Sequence, residues 1–360
     1  MAQEPVRAVS ETANRMRPSI KRQLMPLRRI LSVGLIFAAC AALLPVLLSQ
    51  EEDVTITVDV NVVNVLATVR DKQGRLVTDL TKEDFVLEEE GRPQTIRYFT
   101  RQTHLPLTIG LLVDTSISQE RVIEPQRRAS FQFFSQVLRH RKDLAFLISF
   151  DVDIELMQDL TDSQKLLGAA LNKLRVQGSR AGMHPGPVPT SRRPVGTALF
   201  DAVYLAADEI MVSQVGRKAL VLISDGNDYG SRMKREDAIA ASHRADVVIY
   251  SVRYFDNQFY NRSVGRGRRG STTLSLGGGG GASTLKELAK ETGGAMFEVK
   301  RDKPLDEIYQ QIQDELRGQY SIGYRSDGDP AASGFLSIKL ISKRKDVKVQ
   351  TRSGYYAKPA

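Results

Sequence analysis

The chain predicts an α/β fold: a doubly wound, mostly parallel sheet, with a smaller β-sandwich-like domain built from both chain ends. Three observations carry this. Leu107–Val113, Leu144–Phe150, Ala219–Ser224 and Val247–Val252 are continuous apolar runs, as strands buried on both faces are. The segments between them have helical periodicity, and strands alternating with helices build parallel sheets. Outside this zone, residues 53–70 alternate apolar and polar with many β-branched side chains, and three further strand-like stretches close the chain.

The elements follow in order. After the strand at 53–70, Asp71-Lys72-Gln73-Gly74 is a turn, Phe85-Val86-Leu87 an apolar strand, 88–91 a second turn and Gln94–Phe99 another strand. About 50 residues of β structure are marginal alone. Gln319–Tyr324, Gly334–Ser342 and Val347–Tyr356 are expected to complete that unit. Within the α/β zone, helices are expected at Glu124–Leu138, from a capping box at Thr161-Asp162-Ser163-Gln164 to about Leu174, and at Thr197–Val212, Arg235–Ala245, Ser283–Glu291 and Leu305–Leu316. Ile154–Leu160 reads as a hairpin partner of the second strand and Met296–Val299 as a short last one. Residues 178–196 and 256–282 break the rhythm. The first is rich in Gly, Pro and Ser; the second holds Arg262, Arg266, Arg268, Arg269 and a glycine run at 277–281. Both read as loops. The arginines fit either a solvated insertion or a basic arm for an acidic surface. The resulting division is a basic segment 1–29, an apolar segment 30–48, a β domain 51–104 joined by 318–357, and an α/β domain 105–317 carrying the insertion 256–282.

Charge and cysteine usage narrow the function. The formal net charge is +9, from 51 Lys+Arg against 42 Asp+Glu in 360 residues. Seven of the basic residues and two of the acidic ones fall in the first 50 positions, so over half of the excess precedes the folded part. That argues against nucleic acid as a partner, which needs a basic face on the fold. The 19 residues Ile30–Leu48 are uncharged, preceded by Arg28 and Arg29 and followed by Glu51, Glu52 and Asp53. This polarity is that of an exported chain. Residues 30–48 read as an uncleaved membrane anchor or, with translation starting at Met25 rather than Met1, as a cleaved signal peptide. Either places the domains in the periplasm, outside the cell or on the outer face of the inner membrane. One cysteine, Cys40, makes no internal disulfide and no cysteine-based zinc site, and the four histidines lack metal-binding spacing.

An oxygen-ligated metal remains. Ligands of open α/β sheets bind beyond the carboxyl ends of the strands. There the sequence puts Asp114-Thr115-Ser116-Ile117-Ser118 after the first apolar strand, Thr197 at a helix start, and Asp225-Gly226-Asn227-Asp228 after the third. Carboxylates and hydroxyls are hard donors suited to Mg²⁺. The competing explanation is helix capping by the serines and a plain turn at Asp225-Gly226. Asp151 and Asp153 read as turn residues; Asp228 reads as a turn residue or as a support behind the metal ligands, the turn being favoured.

Asp114-x-Ser116-x-Ser118, Thr197 and Asp225 together resemble the metal-ion-dependent adhesion site (MIDAS) of von Willebrand factor A (VWA) domains. The strand–helix order of about 105–317 is similar to that fold. The β arm, the Gly-rich insertion and the closing Gly354-Tyr355-Tyr356 resemble the VWFA-related family described from acidobacteria. The resemblance implies that Ser116, Ser118 and Thr197 ligate Mg²⁺ (or Mn²⁺ or Ca²⁺) through hydroxyls, with Asp114 and Asp225 acting directly or through water. It also implies a protein partner that offers an Asp or Glu side chain to the ion, in adhesion or another protein–protein interaction, without catalysis. The alternative is a metal-independent structural scaffold in the cell envelope. Hydrolase and P-loop enzymes are disfavoured, because no G-x-S-x-G elbow or Gly-Lys-Ser/Thr loop occurs. A phosphoaspartyl enzyme would want an aspartate where Ser116 stands.

Overall fold

The computed structural model describes residues 62–101, 105–176, 196–255, 279–327 and 334–357. All belong to one compact unit, Asp59–Ala360. The expectations for 1–29, 30–48, 53–61 and the four arginines of the insertion lie outside the described residues.

The strands are β1 (Val62–Asp71), β2 (Phe85–Glu89), β3 (Arg92–Gln94), β4 (Ile96–Arg101), β5 (Leu107–Asp114), β6 (Leu144–Phe150) and β7 (Ile154–Thr161). They continue with β8 (Arg217–Ser224), β9 (Val247–Arg253), β10 (Met296–Glu298), β11 (Tyr320–Arg325), β12 (Phe335–Ser342), β13 (Val347–Thr351) and β14 (Gly354–Tyr356). The α-helices are α1 (Ile123–Val137), α2 (Gln164–Leu171), α3 (Leu199–Leu205), α4 (Arg235–Arg244), α5 (Gly279–Thr292) and α6 (Leu305–Gly318).

The central sheet has the order β10-β9-β8-β5-β6-β7. Its first five strands run parallel and β7 is antiparallel to β6, the expected hairpin. Every residue of β5 and β8 is buried, which accounts for their unbroken apolar runs. One face is covered by α1, α2 and α6, through Phe133, Leu167 and Ile312 among others. The other is covered by α3, α4 and α5, through Leu199, Ala238 and Leu285. On α6 the buried Ile308, Ile312 and Leu316 recur every fourth residue, the stripe a helix needs to lie on a sheet.

The chain ends meet in two four-stranded antiparallel sheets, β13-β1-β11-β4 and β14-β12-β2-β3. Val65, Leu87, Ile322 and Tyr324 fill the space between them.

Four local expectations are corrected. The third helix begins at Leu199 rather than Thr197, because the Thr197 carbonyl and the Ala198 amide bond to neighbouring loops, and it continues from Ala206 to Met211 as π-helical turns. The second helix starts from Ser163, whose hydroxyl accepts Leu166 N, and stops at Leu171. Gly279–Gly281, expected in a loop, form the first turn of α5. The stretch Val347–Tyr356 is two strands in different sheets, because Ser353 N turns aside to the Glu291 carbonyl at 3.0 Å.

Candidate metal centre

β5 connects to β6 on one side of the sheet and β8 to β9 on the other, so the strand order reverses between β5 and β8. Such a reversal opens a crevice at the carboxyl ends of the two strands. Asp114 ends β5 and Asp225 follows β8, so the topology alone brings these two carboxylates to one place.

Direct hydrogen bonds then connect four of the five expected residues. Asp114 is fully buried. Its Oδ1 accepts Ser116 N at 2.9 Å and its Oδ2 accepts Ser224 Oγ at 2.6 Å. The Ser116 and Ser118 hydroxyls lie 3.0 Å apart, and Ser118 Oγ donates to Asp225 Oδ2 at 2.8 Å. Asp225 Oδ1 accepts both the backbone and side-chain N–H of Asn227 at 3.0 and 3.1 Å. The capping explanation for the serines fails. Ser116 caps the short turn Ile117–Gln119 without a side-chain bond, and α1 begins after Val122.

Thr197 stands on a neighbouring loop, buried and held by backbone bonds. Its carbonyl accepts Tyr229 N at 3.1 Å, and the next amide, Ala198 N, donates to Asp151 O at 2.5 Å. The segment is therefore stapled to the loops that follow β6 and β8. Asp151 and Asp153 form the expected turn, with Asp153 N on Asp151 Oδ1 at 2.9 Å.

Electrostatics favour a cation in this crevice. Burial, and then the charge of Asp225, push the Asp114 carboxyl up to about 7. Two carboxylates sharing a dry site repel each other, and a positive ion between them removes the penalty. The connected donors fit a hard divalent ion: two carboxylates and two serine hydroxyls, with Thr197 on the adjoining loop and no thiolate or imidazole. Among the described residues no three His, Cys, Asp or Glu side chains cluster as a metal site. A set with only two carboxylates does not form such a group.

Several supporting residues carry no local sequence signal. Ser224 bonds Asp114 and also accepts Gly226 N at 2.9 Å, tying the two acidic loops together. Asp228 is more than a turn residue: its Oδ1 accepts Leu199 N at 2.9 Å and Phe200 N at 3.4 Å, capping α3 beside Thr197. Gly226 has φ +87°, and a β-carbon there would stand 2.1 Å from Gly281 O. A β-carbon on Gly281 would stand 2.4 Å from Asp225 O. The first turn of α5 thus lies directly on the Asp225 loop. An Asp-Gly pair after an apolar strand hints at the turn, but nothing in the sequence points to its contact across 55 residues of chain.

No family model matches the chain, and no curated protein matches it. Solved structures do. The von Willebrand factor type A protein from Catenulispora acidiphila is 11% identical, covers 76% of this chain and 73% of its own, with a TM-score of 0.42. The vWF domain of the type V pili tip protein Mfa5 from Porphyromonas gingivalis is 11% identical over 59% of this chain and 95% of its own, at 0.39. Proximal thread matrix protein 1 from the mussel byssus, with a zinc-occupied MIDAS motif, is 16% identical over 64% of this chain and 50% of its own, at 0.42. The chain thus spans about half the length of the mussel structure. The class the architecture defines is a doubly wound α/β layer with a hydroxyl–carboxylate crevice at its switch point, and similar structures carry the VWA name.

Proposed function

We propose that this chain is an exported VWA-type protein that binds another protein through a divalent cation. The ion, Mg²⁺ or alternatively Mn²⁺ or Ca²⁺, would be held by Ser116, Ser118 and Thr197 with Asp114 and Asp225, directly or through water. The bound ion supplies an electrophilic centre for a carboxylate. The observation that carries this reading is the unbroken chain Ser224–Asp114–Ser116–Ser118–Asp225, which gathers hard oxygen donors from two strand ends.

The protein's own residues set the rest. Asn227 and Ser224 orient the two carboxylates, and Asp228 fixes the start of α3 beside Thr197. Three of the five donors are neutral hydroxyls, so the residues do no more than neutralise a divalent ion, and an Asp or Glu from a partner would complete its coordination. Ile117, 47% exposed, Val152, 38%, and Tyr229, 58%, stand on three loops around the crevice. Exposed apolar groups beside a polar centre suit a protein partner. No catalytic step is assigned. Among the described residues no helix is long and apolar enough to cross a membrane; export rests on residues 30–48, as signal peptide or anchor.

The test is a peptide array in which single Asp or Glu positions are exchanged for Asn or Gln. Capture of the Mg²⁺-loaded chain should follow the carboxylates, and should vanish with chelator and in Asp114→Ala. Capture indifferent to metal and to Asp114→Ala would favour the metal-independent scaffold.

A further inference from the structure

At the opposite, amino end of the parallel strands, a cavity of about 340 Å³ lies between the starts of β8 and β9, the end of α4, Asn64 of β1, and Arg352 in the link between β13 and β14. Its floor holds Arg217, only 3% exposed, and Lys218, 8% exposed. Arg217 Nη1 bonds the Leu316 carbonyl in the last turn of α6, Nη2 reaches Leu105 O at 3.4 Å, and Nε has no partner. Asp143, whose charge reaches Arg217, is already engaged. Its Oδ2 binds Arg139 Nε and its Oδ1 binds Arg139 Nη2, each at 2.7 Å, and Oδ1 also takes Leu107 N. A helix carboxyl end carries only about half a negative charge. Among the described residues no carboxylate bonds the Arg217 guanidinium, whose charge is buried against backbone carbonyls, a costly state.

The rest of the wall agrees. Arg352 is paired with Asp246 and keeps an unpartnered Nε. His243, 4% exposed with an unpartnered Nε2, is held down to about 4 by burial and then by the Arg352 charge, so it adds no positive charge at neutral pH. Leu105, Val212 and Val215, 39%, 51% and 78% exposed, bring aliphatic surface to the same cavity.

We propose that this cavity binds a small organic carboxylate, its charged head at Arg217 and its apolar stem against Leu105, Val212 and Val215. At about 30 Å³ per water-sized group, the cavity admits a ligand of roughly ten heavy atoms. The proposal is independent of the metal centre.

The experiment titrates the full chain with 4-methylpentanoate, 4-methylpentanamide and inorganic phosphate, by ligand-observed NMR. The acid should saturate in the millimolar range, and the amide and phosphate should each bind at least tenfold more weakly. Arg217→Gln should weaken the acid at least tenfold. Val215→Asp, at an exposed position that leaves folding intact, should weaken it severalfold by like charge, and it decides the matter if Arg217→Gln fails to fold. Asp114→Ala should leave the binding unchanged. Equal affinity for acid and amide, phosphate as tight as the acid, binding indifferent to Val215→Asp, or no saturation would each overturn the proposal.

Discussion

Replacing Gly281 by alanine, beside the same change at Gly280, isolates what holds the Asp225 loop in place. Both glycines lie in the first turn of α5, and alanine there gains up to about 1 kcal/mol of helix propensity. At Gly280 a β-carbon meets nothing within 4 Å. At Gly281 it would stand 2.4 Å from Asp225 O, 2.9 Å from Gly226 C and 3.2 Å from Asn227 N, all backbone atoms that cannot rotate away. Restoring ordinary contact at 3.4 Å or more moves the helix or the loop by about 1 Å. Overpacking of this kind costs about 1–3 kcal/mol. Gly281→Ala should therefore lose about 1–2 kcal/mol net, while Gly280→Ala is neutral or slightly stabilised. Misplacing a group that orients a ligand typically costs tenfold or more in metal affinity, so Mn²⁺ binding should weaken at least tenfold in Gly281→Ala alone. Urea denaturation in chelator and Mn²⁺ titration read the two effects separately. If the two variants behave alike in both assays, the contact between α5 and the Asp225 loop does not position the site.

Asp114→Asn keeps an oxygen for Ser116 N and removes one of two repelling carboxylates; in chelator above pH 7 it should melt no lower than the parent, yet gain nothing from Mg²⁺. Asp228→Ala removes the cap on Leu199 N and should cost about 0.5–2 kcal/mol in urea denaturation. His243 binds protons less readily folded than unfolded, so its contribution is intact above about pH 6.5 and is lost as pH falls toward 4, by about 3 kcal/mol. Stability against pH for His243→Asn should lack that loss; parallel curves would contradict it. Glu315 has the opposite sign: burial, despite Arg70, raises it to about 7, so its contribution is largest below about pH 4.5 and declines as pH rises toward 7. Glu315→Gln should flatten that decline in the same assay.

The strands of the central sheet were legible because burial on both faces leaves continuous apolar runs, as β5 and β8 show. Asp114, Ser116 and Ser118 were legible because they follow such a strand directly, and the switch point makes that position a binding crevice. Asp225 was legible in the same way after β8, and Thr197 as a helix start; resemblance to a family gave both a ligand role, and the structure puts Asp225 on Ser118 and anchors Thr197 by its backbone. What stayed hidden depends on distance along the chain. Ser224 meets Asp114 across 110 residues and Asp228 meets Leu199 across 29. Gly281 has no side chain to advertise its role; its value is the space a β-carbon would take. Helix starts went astray for a similar reason, since Thr197 and Ala198 have backbone partners in loops that local periodicity does not reveal.

The most direct measurement is calorimetric titration of Mg²⁺ and Mn²⁺ into the chain, beside Asp114→Ala. Saturable binding of one ion per chain, lost in the variant, is the predicted result. Absence of binding heat in both proteins, or the same binding in each, would contradict a metal centre at the ends of β5 and β8.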